Sequence, residues 1–424
     1  EPYVIVCVFE DQTVENLWPL TATRPVFDIF LGTSTLLEKI TSNLSEIGKV
    51  ALFTRPYLQK TVSEKHVGFA VNLFIEDDEV LLINGRAVVN KEAAQMIQGL
   101  GRGIVLKSGE SVVAVRTKSS RISEKVLQSL SGKMSSLELL SLGEKVVEAR
   151  VPIISFPWDI IQLNASLLRE EARGEPLESH VRGLVYRVGE CEIEENVVLD
   201  GRKGPVMLGK GVVVESFSRI SGPCFVGDGT RVFSGSSISG SSIGPVCRVG
   251  GEVEESVFFG FSNKRHYGYV GHSVVGEWVN MGAGTTVSNL KNTYGTIKVN
   301  VGGKRIDTKR QFLGCFIADH AKTGIGCMIS GGVKVGVSSH VYQEVVEDVP
   351  SFTIYSPKKK VELILESALH TACRMMERRE IRPSQSYLEM LAKIYEMTKK
   401  ERESAEVKPG KFSFYNGRIS SSHG

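Results

Sequence analysis

Long apolar runs are missing from this sequence, and the longest cover only residues 4–9 and 80–83. A helix that crosses a bilayer needs about 20 consecutive apolar residues. Neither run can therefore span a membrane, and both predict buried strands. The N-terminus has no basic stretch followed by an apolar core, so we expect no signal peptide and no membrane partner.

Neither a disulfide framework nor a strongly charged surface is visible. The seven cysteines are odd in number, scattered and without CxxC spacing, which predicts free thiols in a reducing cytoplasm. The formal net charge is +3, from 51 Lys and Arg against 48 Asp and Glu. Nucleic-acid-binding proteins usually carry a strongly basic face or tail, so we expect no nucleic-acid partner. The charge balance does not exclude a small anionic substrate, because binding one requires only a few well-placed cations.

The first part of the chain alternates short apolar runs with helical patterns, which is typical of βα units and a mostly parallel sheet. We predict an α/β domain over residues 1–178. Its expected strands cover residues 4–9, 50–53, 80–83 and 112–115, and its expected helices cover residues 34–44, 91–97, 123–130 and 159–172.

Glycine is abundant, with 43 residues that concentrate after position 200. In the same region apolar residues fall six apart without a gap, at Leu208, Val214, Ile220, Val226, Val232 and Ile238. A six-residue period fits neither an α-helix nor a simple alternating strand. It is typical of a parallel β-helix, in which each side of a triangular coil contributes one inward aliphatic residue. We predict this fold for residues 179–355.

Two segments interrupt or follow the repeat. Residues 290–312 are polar and rich in Gly and Lys, so we expect a loop that projects from the coil. Residues 356–424 are predicted to form two helices, near 360–379 and 384–403, followed by a tail. These helices could cap the open end of the coil, where strand edges are otherwise unpaired.

Residues 263–289 break the repeat with the polar and aromatic string NKRHYGYVGHSVVGEWVNMGAGTTVSN. With the overlapping strings GGEVEESVFFGFSNK and SNLKN, this segment resembles the acetyltransferase half of bifunctional UDP-N-acetylglucosamine pyrophosphorylase/glucosamine-1-phosphate N-acetyltransferases. The similarity is greatest to divergent bacterial and archaeal members, and it covers residues 190 to 345. It implies a left-handed β-helix, acetyl-CoA-dependent N-acetylation of an amino-sugar 1-phosphate, and a homotrimer with sites at the seams between coils.

The resemblance assigns catalytic and sugar-binding roles to four residues. His266 corresponds to the general base that takes a proton from the attacking sugar amine, a task that suits imidazole. Asn280 and Asn289 correspond to residues that orient the amino sugar and the base. Tyr269 corresponds to a ligand of the sugar or of its phosphate.

The GAGT turn is the expected contact for acetyl-CoA, through the backbone at Ala283. Gly282 and Gly284 would let the thioester come close to the main chain, and an N–H group there could stabilise the tetrahedral oxyanion. Four basic residues are candidate contacts of the sugar phosphate: Lys264, Arg265, Arg248 and Lys291.

Structural explanations exist for the same residues. A lone His in a β-helix usually lies at a corner or on the surface, Asn residues often stack in ladders, and Tyr269 could simply cover a corner. A zinc site is a further alternative, since gamma-class carbonic anhydrases bind zinc through three histidines on this fold. His266, His272 and His320 would be the ligands, but the GAGT and SNLKN strings do not belong to that pattern, and we expect no metal there.

The N-terminal region carries the string PLTATRPVFDIFLGTSTLLEK at residues 19–39. This string resembles the sugar-1-phosphate nucleotidylyltransferases, which transfer a nucleotidyl group with Mg²⁺ bridging the phosphates. The departures are that FEDQTVENLW replaces the glycine-rich phosphate loop, that Val26 stands where a lysine is expected, and that Asn84-Gly85-Arg86 replaces a metal-binding acid. The remaining candidate nucleotide and sugar-phosphate contacts are Arg24, Lys39, Arg86 and Asn84.

Three functions follow as hypotheses. The first is a bifunctional enzyme that acetylates glucosamine 1-phosphate, or an isomer, and then uses UTP to form a UDP-N-acetyl-sugar. The second is an acetyltransferase whose N-terminal domain only binds a nucleotide sugar, which the missing glycine loop favours. The third is a non-enzymatic scaffold similar to translation-factor subunits, which would have no need of the residues from His266 to Asn289.

Overall fold

The computed structural model describes residues 4–44, 48–75, 77–178 and 181–410, together with the strand residues 414, 415, 418 and 419. The chain divides into two compact units, residues 1–30 with 34–159 and residues 31–33 with 160–424. This division falls inside the helix Pro157–Glu170, whereas the sequence places the domain boundaries after residues 178 and 355. None of the described helices has the length and apolarity that a bilayer crossing requires.

The N-terminal unit is built around a mixed, mostly parallel sheet. Its strands are β1 Ile5–Asp11, β2 Val50–Leu52, β3 Ala70–Val71, β4 Glu79–Asn84, β5 Ile104–Ser108, β6 Ser111–Lys118, β7 Ser131–Met134 and β8 Lys145–Glu148. The order across the sheet is β8-β5-β6-β4-β1-β2-β3, with β7 paired to β1. Only β6 runs antiparallel to its neighbours, so the predicted mostly parallel sheet is confirmed.

Six helices are described between residues 36 and 170, and four of them begin at a side-chain cap. They are α1 Leu36–Asn43, α2 Gln59–Lys65, α3 Lys91–Gln98, α4 Glu124–Ser129, α5 Ser136–Ser141 and α6 Pro157–Glu170. At α1, the Thr35 hydroxyl accepts from the Glu38 N–H at 3.2 Å, and the Glu38 carboxylate accepts from the Thr35 N–H at 2.7 Å. This reciprocal capping box satisfies two donors that a helix start leaves unpaired, and it explains why the helix begins two residues after the predicted start.

The second unit contains a parallel β-helix with three columns of short strands, as predicted. The first face contains Cys224–Val226, Ser242–Ile243, Val257–Gly260, Val274–Glu277, Phe316–Ile317 and Lys334–Val335. The second face contains Arg231–Val232, Arg248–Val249, Asn263–Lys264, Asn280–Met281, Lys322–Thr323 and His340–Val341. The third contains Arg219–Ser221, Ser237–Ser239, Glu252–Glu254, Tyr269–Gly271, Thr286–Val287 and Met328–Ile329.

The core of the coil follows the six-residue register read from the sequence. The six residues from Leu208 to Ile238 are all fully buried, and successive members fall on successive faces. Each coil thereby stacks its aliphatic side chains on those of the next, and this stacking removes apolar area from water along the whole axis.

Three corners connect the faces, and their residues often adopt the left-handed conformation. The first corner, between the first and second faces, contains Phe261, Trp278 and His320 with φ of 53°, 60° and 62°. The second corner, between the second and third faces, contains residues 265–268 and 282–285. The third corner, between the third face and the next first face, contains Glu255 and His272 with φ of 44° and 49°.

The segment predicted as a projecting loop is an ordered β-hairpin. Strands Lys298–Val301 and Lys304–Asp307 pair antiparallel. They are joined by Gly302 and Gly303, whose φ values are 56° and 80°. Two consecutive glycines with positive φ suit the tight turn that matches strand twist.

The C-terminal segment packs on the last coil. Its helices are α7 Leu365–Glu377, α8 Gln385–Met397 and α9 Lys399–Ser404, preceded by the strand Lys359–Glu362 where the sequence suggested helix. The Arg402 guanidinium lies 4.3 Å from the Tyr395 ring and donates to the Glu362 carboxylate at 3.0 Å. Phe352 of the last coil is fully buried near both side chains. The predicted cap is therefore formed mainly by α8 and α9.

Candidate active site

The corner that carries His266 lies against the GAGT turn of the next coil. The Gly284 N–H donates to the Tyr267 carbonyl at 2.9 Å. The His266 ring is exposed, and it forms no hydrogen bond or ion pair with the described residues. The structure thus brings the expected base and the expected acetyl-CoA turn to the same corner of adjacent coils.

Three of the four backbone donors of the GAGT turn are used inside the coil, including the Thr285 N–H, which donates to the Gly282 carbonyl at 3.1 Å. The Gly282 N–H donates to the Thr323 carbonyl at 3.1 Å and hydroxyl at 3.0 Å, and the Gly284 N–H is used as above. The N–H of half-buried Ala283 meets no acceptor among the described residues. It is therefore the donor at this turn that a bound oxyanion could use.

The two glycines of the turn have reasons in the fold itself. A Cβ on Gly282 would lie 2.7 Å from the Gly324 backbone, and Gly284 has φ of +76°. An L side chain is therefore excluded by packing at the first position and strained at the second.

Lys264 is placed differently from its predicted role as a phosphate contact. Its side chain is 2% exposed and donates to the Gly250 and His266 carbonyls at 2.8 and 2.7 Å. Burial lowers its pKa to about 8. The prediction is wrong for this residue, because the ammonium group points into the coil. It holds the His266 corner from within.

The other three predicted phosphate contacts lie in separate places. Exposed Arg265 stacks over the Phe233 ring at 4.5 Å. Arg248 donates to two main-chain carbonyls at 3.0 Å. Lys291 is exposed and donates to the Thr296 carbonyl at 2.6 Å. Each of the four predicted cations is held by different partners.

A polar cluster on the third face joins two predicted residues with two that the motif comparison missed. The Asn289 amide nitrogen donates to the Tyr269 hydroxyl at 2.7 Å and to His272 Nδ1 at 3.0 Å. The Tyr269 hydroxyl donates to the Glu254 carboxylate at 2.7 Å. We call Glu254, Tyr269, His272 and Asn289 the third-face cluster.

This cluster has a defined protonation pattern. Because the Asn289 amide nitrogen can only donate, His272 Nδ1 must be the unprotonated ring nitrogen. Burial lowers the pKa of His272, which keeps the imidazole neutral with its proton on Nε2. Burial and then Glu254 raise the pKa of Tyr269. Since the Tyr269 proton is donated to a carboxylate, the predicted contact of Tyr269 with a phosphate is disfavoured, while a contact with the sugar stays a prediction.

Asn280 lies away from that cluster, on the second face. Its side-chain oxygen accepts from the Asn263 amide at 3.2 Å, and the Asn263 oxygen accepts from Arg379 at 2.6 Å. This is the stacked asparagine pair that was the structural alternative. Within one chain, the predicted site residues are therefore spread over the second face, the second corner and the third face.

The zinc alternative fails within one chain. His266, His272 and His320 occupy three different corners of the coil. Among the residues the structure describes, no group of three or more His, Cys, Asp or Glu side chains could hold a metal ion.

The predicted nucleotide contacts of the N-terminal unit are mostly engaged with protein groups. Arg86 is 1% exposed and binds both Asp11 oxygens at 2.8 and 2.6 Å, and Asn84 donates to Asp11 at 2.8 Å. Lys39 is buried and donates to the Ser34 carbonyl and hydroxyl at 3.2 and 3.0 Å, and Arg24 is 5% exposed. The prediction for Arg86 and Asn84 is wrong in this conformation, because both side chains are spent on Asp11.

Glu10 and Asp11 end strand β1 where a nucleotidylyltransferase would have its phosphate loop. Glu10 is fully buried and accepts from Thr54 at 2.9 Å and from Arg55 at 3.2 Å. Two buried carboxylates, each paired with an arginine, thus fill this strand end.

Comparison with known proteins finds relatives for parts of the chain. Residues 6–174 match the family model described as sugar nucleotidyl transferase. A bifunctional sugar-1-phosphate nucleotidylyltransferase/acetyltransferase of Sulfurisphaera tokodaii is 43% identical over 95 residues, which cover 22% of this chain and 24% of that protein. The bifunctional protein GlmU of Methanocaldococcus jannaschii is 32% identical over 181 residues, 40% of this chain and 38% of that protein.

A third relative, the bifunctional protein GlmU of Azoarcus sp. BH72, is 34% identical over 140 residues, 27% of this chain and 29% of that protein. The chain thus aligns with between a quarter and two fifths of the length of these curated relatives. By class, the protein joins a nucleotidyltransferase-like α/β unit to a hexapeptide-repeat β-helix. The resemblance stated from the motifs is confirmed as a similarity: parts of the chain are similar to bifunctional sugar-1-phosphate nucleotidylyltransferase/acetyltransferases, and residues 6–174 match the sugar nucleotidyl transferase model.

Proposed function

We propose that this protein transfers the acetyl group of acetyl-CoA to the amine of an amino-sugar 1-phosphate, glucosamine 1-phosphate or an isomer. The observation that carries the proposal is the stacking of the His266 corner on the GAGT turn, where the Ala283 N–H meets no acceptor in the described part of the chain. Acyl transfer to an amine requires a proton acceptor and an oxyanion donor. Here the two groups lie at the same corner of adjacent coils.

The chemistry follows from these two groups. The sugar amine attacks the thioester carbonyl carbon, a C–N bond forms, and His266 takes the amine proton. The carbonyl oxygen becomes an oxyanion that the Ala283 N–H stabilises. The C–S bond then breaks, and coenzyme A leaves as a thiol after it takes up the proton.

We also propose a homotrimer located in the cytoplasm. Asn280 lies on the second face of one coil and Tyr269 on the third face of the preceding coil, so we infer that one chain does not direct both at one small sugar. A neighbouring chain would supply the missing face at a seam. The seven free cysteines fit a reducing compartment.

A nucleotide function of the N-terminal unit is the second proposal, favoured by the sugar nucleotidyl transferase match over residues 6–174. The carboxylates at the end of β1 do not fit a Mg²⁺ site, because Glu10 and Asp11 are already paired with Arg55 and Arg86. We therefore derive no uridylyl-transfer step from this conformation. Binding of UTP or a nucleotide sugar is the form of the function that the unit supports.

Thiol release from acetyl-CoA in the presence of glucosamine 1-phosphate tests the main proposal. His266→Ala should lower kcat by about 10²- to 10⁴-fold, which is the usual contribution of a general base. His370→Ala is the matched control, since His370 is an exposed histidine on α7 outside the proposed site. An unchanged rate in His266→Ala would show that His266 is not the base.

The same preparation separates the three functional hypotheses. Thiol release together with pyrophosphate release from UTP would establish a bifunctional enzyme. Thiol release without pyrophosphate would leave the N-terminal unit as a binding domain. Absence of thiol release from the wild type across several amino-sugar phosphates would contradict the acetyltransferase and favour a scaffold.

A further inference from the structure

A pocket of about 250 Å³ lies between the second face of the coil and the C-terminal helix α7. Its walls include Asn280 and Trp278 of the coil, Lys322 of the next coil, and three arginines that follow one another at the end of α7 and just beyond it, Arg374, Arg378 and Arg379. Both walls belong to the second compact unit.

We propose that this pocket binds the phosphate group of a substrate. The inference rests on the proposed acetyl transfer for the identity of the ligand, and it names a site that the motif resemblance does not contain. The resemblance placed the phosphate contacts at Lys264, Arg265, Arg248 and Lys291, none of which lines the pocket.

Charge is the main argument. Four basic side chains line the pocket, and no carboxylate lies among its lining residues. Within residues 181–410, none of the three arginines forms an ion pair. Uncompensated cations in a concave site attract an anion, and guanidinium groups bind phosphate through paired hydrogen bonds.

Burial disfavours the charged forms of Lys322 and Arg379, and nearby arginines add to this effect at Arg379. Burial, followed by Arg248 and Arg378, lowers the pKa of Arg379. Burial lowers the pKa of Lys322 to about 7, against the opposing effect of Asp319. The Lys322 ammonium donates to the Trp278 and His320 carbonyls at 2.9 and 2.7 Å. A bound phosphate would supply the negative charge that this group of cations lacks.

The remaining walls suit a ring next to the phosphate. Phe261 and Trp278 stack with centroids 4.6 Å apart, and they give the pocket an apolar side. Asn263 and Asn280 give it amide groups that can hydrogen-bond to hydroxyls. A phosphate ester of a sugar and the phosphates of coenzyme A share this chemistry, and binding experiments can tell the two sources apart.

The third-face cluster has the opposite charge. Glu254 accepts the Tyr269 proton there, and Glu255 follows it at the third corner. A phosphate would be repelled by these carboxylates, whereas a substrate amine would be attracted. The phosphate-binding role is therefore assigned to the pocket and not to the third-face cluster.

The test removes two arginines whose side chains have no hydrogen-bond partner among the residues that the structure describes. Arg374 and Arg378 are exposed, so the double variant Arg374→Gln/Arg378→Gln should fold normally. Arg382→Gln is the control, since Arg382 is an exposed arginine just beyond the pocket and does not line it. Isothermal titration at low ionic strength would use glucosamine 1-phosphate, coenzyme A and inorganic phosphate as separate probes.

We expect the double variant to bind one phosphorylated probe at least about 10-fold more weakly than the wild type, since charge-assisted hydrogen bonds are lost. Arg382→Gln should leave the affinity unchanged. Loss for glucosamine 1-phosphate alone identifies the sugar phosphate as the ligand, and loss for coenzyme A alone identifies the cofactor phosphates. Equal affinities of wild type and double variant for every probe, or no binding of any probe to the wild type, would overturn the proposal. Thiol release is measured separately from binding. Phosphate binding without acetyl transfer would contradict the proposed function alone, and acetyl transfer without phosphate binding would contradict the pocket alone.

Discussion

Replacing Arg86 by Met should destabilise the N-terminal unit strongly, because Arg86 is the buried partner of a buried carboxylate. Its guanidinium binds both Asp11 oxygens and also donates to the Ile154 carbonyl at 2.7 Å. Both members of the pair are at most 3% exposed at the side chain. The Met variant leaves the Asp11 charge buried without its counterion.

The size of the effect depends on the hydrogen bonds that Asp11 retains in the variant. Removing one partner of a buried ion pair costs about 3–5 kcal/mol. Asp11 still accepts from Asn84 at 2.8 Å and from the Thr13 N–H at 3.0 Å, so we expect about 3 kcal/mol, at the lower end of that range. For a unit of this size the midpoint should fall by roughly 6–12 °C.

Urea unfolding followed by tryptophan fluorescence measures this loss, since two of the three tryptophans, Trp18 and Trp158, lie in the N-terminal unit. Arg121→Met is the control, because the Arg121–Glu144 pair is 39% and 70% exposed at its side chains and should contribute about 1 kcal/mol or less. Adding Asp11→Asn to Arg86→Met should recover part of the loss. A stability unchanged within about 0.5 kcal/mol, with UTP binding abolished, would refute the structural role and restore Arg86 as a phosphate ligand.

Two further predictions concern acid stability and the GAGT turn. Burial alone would raise the pKa of Asp28, but Lys65 and His66 lower it to about 2, below the unfolded value of about 3.9. Its stabilisation is therefore complete above pH 4 and lost as the pH falls towards 2, and Asp28→Asn should flatten this part of the unfolding free energy measured against pH. Gly284→Ala should cost about 1–2 kcal/mol from its positive φ and little more from the Tyr267 hydroxyl, 3.2 Å from the new Cβ, because that side chain is 74% exposed and can move. Gly326→Ala, with φ of +65° and open space, should show only the backbone cost when thermal midpoints are compared.

The coil could be predicted from the sequence because its physical constraint is local and repeated. Every face must place an aliphatic residue inward, and the six residues from Leu208 to Ile238 meet that requirement at a fixed interval. The N-terminal strands were also predictable, since apolar runs such as residues 80–83 have no partner other than a buried sheet. The ends of the helices were harder to predict, because they depend on caps such as the one formed by Thr35 and Glu38.

The interior position of Lys264 is the instructive error. Its backbone pairs in register with Val249 on the previous coil, so the register itself placed it inward. The positive charge suggested a surface phosphate contact, and the buried carbonyls of Gly250 and His266 that satisfy the ammonium group cannot be seen in a sequence. Asn289 and Tyr269 were predicted individually, but their bond to each other depends on the stacking of two coils.

His272 shows a second limit of the sequence. It lies three residues beyond Tyr269, outside the position that the family motif assigns to the base, and it entered only as a zinc alternative. Its contact with Asn289 arises because a left-handed corner residue, with φ of 49°, turns the ring towards the residue that ends the next coil. The spacing of residues within one coil does not predict which side chains of the next coil will contact a corner residue.

The distribution of charge around the coil gives a physical reason for assembly. The cationic pocket belongs to the second face and the third-face cluster carries the carboxylates, and two faces of a triangular coil point in different directions. A small amino-sugar phosphate carries its amine and its phosphate only a few bonds apart, so it cannot reach both regions of one chain. If both regions serve the same substrate, a second copy must bring its third face to the second face of the first. This requirement for a second copy agrees with the homotrimer that we propose.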